Sequence, residues 1–306
     1  MIPIGASTAG SAWFLNGVAN LQQQEAETQR EISSGYQIQD ASDSPSQTPE
    51  LVNLGSSLAS VQAYQTSLGS AQAETSAADT ALGNSISLIQ SAITTGEQGA
   101  GSTVSATTDQ ELAGQIQSIQ QQLVSAANTT VAGRYIFGGN LDQSPPYSYS
   151  AATGVTTLTS PTSTPVLVDT QGQQVYQPLT AQQIFGPTDS TGAPTANNTF
   201  AALQSLETAL SANDPTGVAT ALTSLQTAST YLNQQQAYYG TAEKTIASEQ
   251  NNAASQITAL QTSIGAIRDT NVTQAATDLT QETTDQSAAY GAESEISTKS
   301  LFDFLG

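Results

Sequence analysis

The chain has 306 residues, of which 37% are apolar and only 10% charged, where an ordinary soluble protein carries roughly a quarter charged. Five Lys plus Arg face 25 Asp plus Glu, a net charge of −20, so phosphate backbones and anionic lipid heads are repelled and neither nucleic-acid nor membrane binding is expected. There is no Cys and no His, which excludes thiolate chemistry, Ser-His-Asp triads and His- or Cys-ligated zinc; no catalytic, cofactor-binding or metal-binding residue is assigned.

The opening MIPIGASTAGSAWFLNGVANLQQQ is apolar enough to suggest a signal peptide. Its first basic residue, however, is Arg30, and Gly and small polar residues interrupt the apolar run, so a cleaved secretion signal is not expected. No run approaches the 18 or so apolar residues of a membrane span. A weak helical pattern passes through Phe14, Val18, Leu21 and Ile32.

From Leu54 to Ile93 a four-three spacing runs through Leu54, Leu58, Val61, Leu68, Leu82, Ile86, Ile89 and Ile93, thinned in the middle by Gln65, Gln72, Thr75 and Asp79. TTGEQGAGSTVSATTDQ predicts a break. Leu112, Ile116, Ile119, Leu123 and Ala126 then resume the spacing, which makes a helix-loop-helix. GEQGAG lacks the Lys of a phosphate-cradling loop and follows a helix, so it is not read as one.

The stretch VAGRYIFGGNLDQSPPY, Val131–Tyr147, interrupts this dilute Ala, Ser, Thr and Gln chemistry with aromatic residues, glycines and prolines. Arg134, Tyr135, Phe137 and Gly138 mark a turn at the end of the second helix. Arg134 is expected to form a local ion pair that fixes the turn. Tyr135, Ile136 and Phe137 alternate like a first strand and are expected to plug the junction between helices and the segment that follows.

That segment, to about Asn198, is rich in Thr, Val, Pro and Gly with short alternating runs, and predicts a small β-rich insertion. A helix returns through Phe200, Leu203, Leu206 and Leu210. NDPTG then supplies a helix start, with Asp214 as cap and Pro215 in the first turn. Val218, Leu222, Leu225, Leu232, Tyr239, Ile246, Ile257, Leu260, Ile264 and Ile267 keep the four-three period over a helix on the order of 75 Å long. A stripe of that length cannot be buried alone, so an antiparallel bundle with the N-terminal helices is predicted. The last segment repeats the weak helical pattern of the first, through Val272, Ala276, Leu279, Tyr290 and Ile296, and ends in an apolar tail, Leu301, Phe302, Phe304 and Leu305. Exposed on a monomer such a tail is a liability, and an assembly contact is its expected role.

Five motifs, in order, carry a family resemblance. ANTTVAGRYIFGGN, Ala127–Asn140, is similar to the segment closing the second helix of the bacterial flagellar hook-filament junction proteins, the hook-associated protein 3 family of the flagellin superfamily. LQQQEAETQREISSGYQIQDASDSP, Leu21–Pro45, resembles the flagellin-type motif, matching at Ile32, Ser33, Ser34, Gly35, Ile38, Ser42, Asp43 and Pro45. GQQVYQPLTAQQIFG resembles part of the inserted domain, FAALQSLETAL the returning helix, and KSLFDFLG the chain end. The pattern departs at Tyr36 and Gln39, where the family is basic, and at Ser44, where a second Asp is usual.

The resemblance implies a mainly α protein: a long antiparallel helical bundle or coiled-coil rod built from both chain ends, with one small β-rich inserted domain. It implies terminal helices over 1–45 and 270–306 that order on assembly as an inner coiled-coil layer. A helical rod spans 46–145 and 199–269, and an outward-facing insertion spans 146–198. The implied function is joining hook to filament in the flagellum, without catalysis or cofactor. Contacts through Phe14, Val18, Leu21, Ile32, Leu279, Tyr290, Ile296, Leu301, Phe302, Phe304 and Leu305 would form a homo-oligomeric ring or tube beside a neighbouring hook-associated protein and flagellin. Export would run through the flagellar type III apparatus, with a chaperone on the C-terminal helix. The alternatives are flagellin itself and, more remotely, an unrelated secreted coiled-coil adhesin. A proteolytic flagellin-like protein would need an HExxH motif, which a His-free chain lacks. The scarcity of basic residues also suits an external structure to an acidic medium.

Overall fold

The computed structural model describes residues 5–101, 105–188 and 194–302, and for 5–11 and 293–302 only the course of the helix. Seven α-helices and six short strands occur among the described residues: α1 Gly5–Ser34, α2 Thr48–Gly99, α3 Ala106–Ala127, β1 Thr130–Val131, β2 Arg134–Tyr135, β3 Tyr147–Ser150, β4 Gly154–Thr157, β5 Leu167–Val168, β6 Gln174–Tyr176, α4 Ala181–Phe185, α5 Thr199–Ser211, α6 Pro215–Arg268 and α7 Val272–Phe302. The chain divides into two units, one of residues 1–59 and 257–306, the other Ser60–Gln256.

In the Ser60–Gln256 unit the four-three seams become the core. Leu68, Leu82 and Ile89 of α2, Ile116 and Leu123 of α3, Leu203, Leu206 and Leu210 of α5, and Leu225, Leu232 and Ile246 of α6 are fully buried. Contacts fix α2 and α6 as antiparallel: Tyr64 Oη donates to Glu249 at 3.3 Å, Ser76 Oγ to Glu243 at 2.8 Å, and Gly96 meets Leu222. The thin middle of the α2 seam is only partly packed, with Thr75 buried, Gln72 and Asp79 half-buried and Gln65 exposed. Thr75 and Ser85 are fully buried with their hydroxyls satisfied by the preceding turn, at Ala71 and Ala81 carbonyls.

The expected break at Thr94–Gln110 is shorter than its glycines suggest, because α2 continues to Gly99 and α3 starts at Ala106. Glycine costs a helix about 1 kcal/mol relative to alanine. Here it is required by close approach. A Cβ on Gly96 would lie 2.8 Å from Leu222 Cδ2 and 3.1 Å from Leu206, and one on Gly99 would collide with Leu210. Gly96 and Gly99 therefore belong to a packing face of α2, and the break begins only after them.

Caps delimit the other helices. Ser105 accepts from Thr108 N at the start of α3, Asn198 from Ala201 N at α5, and Asp214 from Thr216 N at 3.1 Å just ahead of Pro215. The expected β-rich region resolves, among the described residues, into separate two-stranded antiparallel ladders, β3 with β4 and β5 with β6, and the short capped helix α4. The strand at Tyr135 does not open that region: β2 pairs back on β1 in a tight hairpin.

The other unit joins α1 to α7, with the first turns of α2 and the last of α6. The α1–α7 pair is antiparallel and thinly apolar. Of its described side chains only Val18 and Ala275 are buried. Polar bonds cross the pair instead: Gln22 to Tyr290 Oη at 3.2 Å, Gln286 to Glu25 at 3.3 Å and Thr28 to Glu282 at 3.2 Å.

Candidate functional site

Three local structures carry the residues singled out above. The first is the α1–α7 pair. Phe14, Leu21 and Ile32 are half-buried, Val18 is 7% exposed, and Leu279 is half-buried on α7. Tyr290 is 48% exposed and accepts the bond from Gln22. Ile296, Leu301 and Phe302 fall on the α7 helix, but their side chains, like Phe304 and Leu305 altogether, lie outside the described residues. The pair leaves Trp13 81% and Leu15 65% exposed, the large apolar residues on either side of Phe14 in the sequence. Their weight was not legible in the Phe14–Val18–Leu21 spacing, because at about 100° per residue they fall on the two flanks of that stripe rather than in it.

The second structure is a clasp where the chain leaves α1 and enters α7. Gly35 takes φ +77°, which ends α1 by turning the backbone into the left-handed region. Gln37 N and Ile38 N then donate to Arg268 O, Thr270 N donates to Gly35 O, and Thr270 Oγ1 bonds Glu31. The Arg268 guanidinium lies 4.1 Å over the ring of Tyr36. After the clasp, Asp43 Oδ2 accepts from Gln39 N at 3.0 Å and Asp40 N at 2.8 Å, and these backbone bonds hold its carboxyl below the usual aspartate range. Tyr36 and Gln39, the departures from the family pattern, are both engaged, for Gln39 Nε2 donates to Ser34 Oγ at 2.7 Å. Beside the clasp, Ile38, Leu51, Val52, Leu58 and Ile264 line an open groove of about 700 Å³ with Gly55 and Arg268.

The third structure is the hairpin after α3. Ala132 and Gly133 take φ of 50° and 79°, a two-residue turn of the kind that matches strand twist. It places Arg134 Nε 3.0 Å from Asp142 and Nη2 3.6 Å from Glu74 of α2. Burial raises the Glu74 carboxyl, and Arg134 opposes that rise. Phe137 is fully buried, edge-on to Phe185 of α4 at 5.7 Å and to Tyr239 of α6 at 6.2 Å. Tyr147 and Phe200, with ring centroids 4.7 Å apart, extend the cluster. Gly138 is enclosed by the Asp142 and Tyr135 backbone. Asn128 caps α3 and grips Tyr147 from both sides, its Nδ2 on Tyr147 O at 2.7 Å and its Oδ1 under Tyr147 N at 3.1 Å.

Among the described residues, no group of three or more His, Cys, Asp or Glu is placed to hold a metal, and no helix is long and apolar enough to cross a membrane. This arrangement offers surfaces that pair helices.

Residues 10–142 match the family model of the bacterial flagellin N-terminal helical region. A flagellar hook-associated protein from Vibrio parahaemolyticus superposes with a TM-score of 0.63 at 15% identity, covering 74% of this chain and 100% of that one. Flagellar hook-associated protein 3 from Legionella pneumophila gives 0.60 at 11%, covering 70% and 98%, and FlgL from Bacillus cereus 0.55 at 16%, covering 70% and 99%. The chain has the fold of the flagellar hook-associated proteins. No curated protein sequence matches it. The matched region runs from residue 10 to Asp142, so it takes in most of α1, the clasp loop, the α2–α3 pair and the hairpin with its Arg134–Asp142 ion pair.

Proposed function

We propose that this chain is the structural subunit joining hook to filament in a bacterial flagellum. The fold shared with hook-associated proteins over nearly their whole length supports the reading, but the observation that carries it is the α1–α7 pair. Both chain ends form one antiparallel pair in which, among the described side chains, only Val18 and Ala275 are buried while Trp13 and Leu15 are exposed. A pair so poor in buried area is stabilised by association. The terminal helices over 1–45 and 270–306 serve as the inner layer of a ring or tube of identical subunits. The helices of 46–145 and 199–269 surround it, and the 146–198 insertion faces outward. Phe14, Val18, Leu21, Ile32, Leu279, Tyr290, Ile296, Leu301, Phe302, Phe304 and Leu305 supply its apolar contacts. The partners are a hook-associated protein on one side and flagellin on the other. The role is assembly without catalysis, and the subunit reaches the cell exterior through the flagellar type III apparatus, its C-terminal helix held by an export chaperone.

Flagellin is the competing reading, and abundance separates the two. Quantitative mass spectrometry of sheared flagella, digested with Glu-C because trypsin has few sites, should find this chain as a trace beside the dominant subunit. Dominance of the filament mass would make it flagellin, and absence from flagella would overturn the proposal.

A further inference from the structure

Carboxylates in this fold are held between elements by neutral donors. Gln286 bonds Glu25 and Thr28 bonds Glu282 across α1 and α7, and Thr270 bonds Glu31 at the clasp. Ser76 bonds Glu243 and Tyr64 bonds Glu249 across α2 and α6. Gln117 and Gln120 of α3 both bond Glu207 of α5, at 2.8 and 3.2 Å. Among the described residues the ion pairs are those of Arg134 with Glu74 and Asp142, and of Arg268 with its chain neighbour Asp269.

Acid unfolds proteins by two routes. Protonation removes the carboxylate half of pairs with Lys, Arg or charged His, and the bases left over repel one another. Both routes are nearly closed here. A protonated carboxyl keeps a carbonyl oxygen that accepts from Gln, Ser, Thr or Tyr, so these bonds lose strength but not a partner. Neutralising every carboxyl leaves only the five Lys and Arg charges in place of a net −20, with no His to add to them.

We propose that the chain is built to keep its fold in an acidic medium, down to about pH 3. The titratable groups around the invoked carboxylates fit this. Glu207 faces Tyr149 as well as its two amides, and Glu249 faces Tyr64, near Asp169; neither tyrosine charges in acid. Glu74 packs against Arg134, Asp142, Tyr176 and Tyr239, and although acid removes its charge from Arg134, burial raises its carboxyl, so protonating it favours the folded chain. Asp43 weakens the clasp loop only below the usual aspartate range. The proposal stands independently of the junction role.

The test is thermal unfolding of the purified full chain, followed by circular dichroism at pH 7 and pH 3. The melting temperature at pH 3 should lie within about 5 °C of that at pH 7. Cooperative loss of helix between pH 5 and pH 3 would overturn the proposal. A triple variant, Ser76→Lys, Gln117→Lys and Gln286→Lys, replaces neutral donors by ammonium groups. It should melt like the parent at pH 7 and at least 5 °C below it at pH 3. Equal acid tolerance in the variant would also overturn the proposal, and Ser76→Lys alone, at an exposed site, serves if the triple variant does not fold.

Discussion

The guanidinium of Arg268 stacks on the ring of Tyr36, 4.1 Å from its centroid, and so joins the last residue of α6 to the turn that ends α1. Both residues are partly exposed, Tyr36 39%. A cation–π contact of that exposure contributes about 0.5–1 kcal/mol. Tyr36→Ala or Arg268→Gln should therefore destabilise the clasp by about that much, while Tyr36→Phe keeps the ring and most of the stability. Amide hydrogen exchange at Gln37 and Thr270, whose N–H groups bond across the clasp, would report the loss directly.

Ala132 occupies a left-handed position, φ 50°, where Gly or Asn is favoured. Ala132→Gly relieves roughly 1–2 kcal/mol of left-handed strain against about 0.4–1 kcal/mol of added unfolded-state entropy, so it should stabilise, measured as a rise in the urea midpoint at unchanged slope.

Phe137 is fully buried between Phe185 and Tyr239. Phe137→Ala should cost about 3–5 kcal/mol in the urea melt. Phe137→Leu should cost visibly less, because most of the volume stays filled.

Gly99→Ala puts a methyl into Leu210, and overpacking of this kind costs about 1–3 kcal/mol. Gly69→Ala, where nothing lies within 4 Å, should instead stabilise α2 by up to about 1 kcal/mol. The opposite signs in one helix separate glycine as packing device from glycine as helix breaker.

That contrast shows what the sequence could convey. The Leu and Ile seams of α2, α3 and α6 are legible because a four-three spacing has one physical reading, a stripe seeking a partner. Gly96 and Gly99 were misleading because a required close approach and a break use the same residue. The Tyr36–Arg268 contact leaves no local signal, since its partners come from opposite ends of the chain. The α1–α7 pairing is equally faint, being carried by Gln, Thr and Glu side chains that look like ordinary solvated residues. Tyr135, Ile136 and Phe137 showed the alternation of a strand, but not that β2 folds back onto β1, which the backbone at Ala132 and Gly133 decides.

Alkali should be the weaker side of the stability profile. Burial, aided by Glu249, pushes the Tyr64 hydroxyl up to about 12, and burial raises Tyr147, Tyr176 and Tyr239 further. A raised folded-state value favours the neutral form, so this stability is present below the unfolded value of 10 and is lost as pH climbs from there toward 12. Absorbance at 295 nm should show the buried tyrosines ionising together with loss of helix, rather than one by one in a folded chain.

The position of this chain along an intact flagellum tests the central claim most directly. Immunogold electron microscopy with antibodies raised against the 147–188 segment should mark a single narrow band between hook and filament. Label along the whole filament, or none on the flagellum, would contradict the junction role.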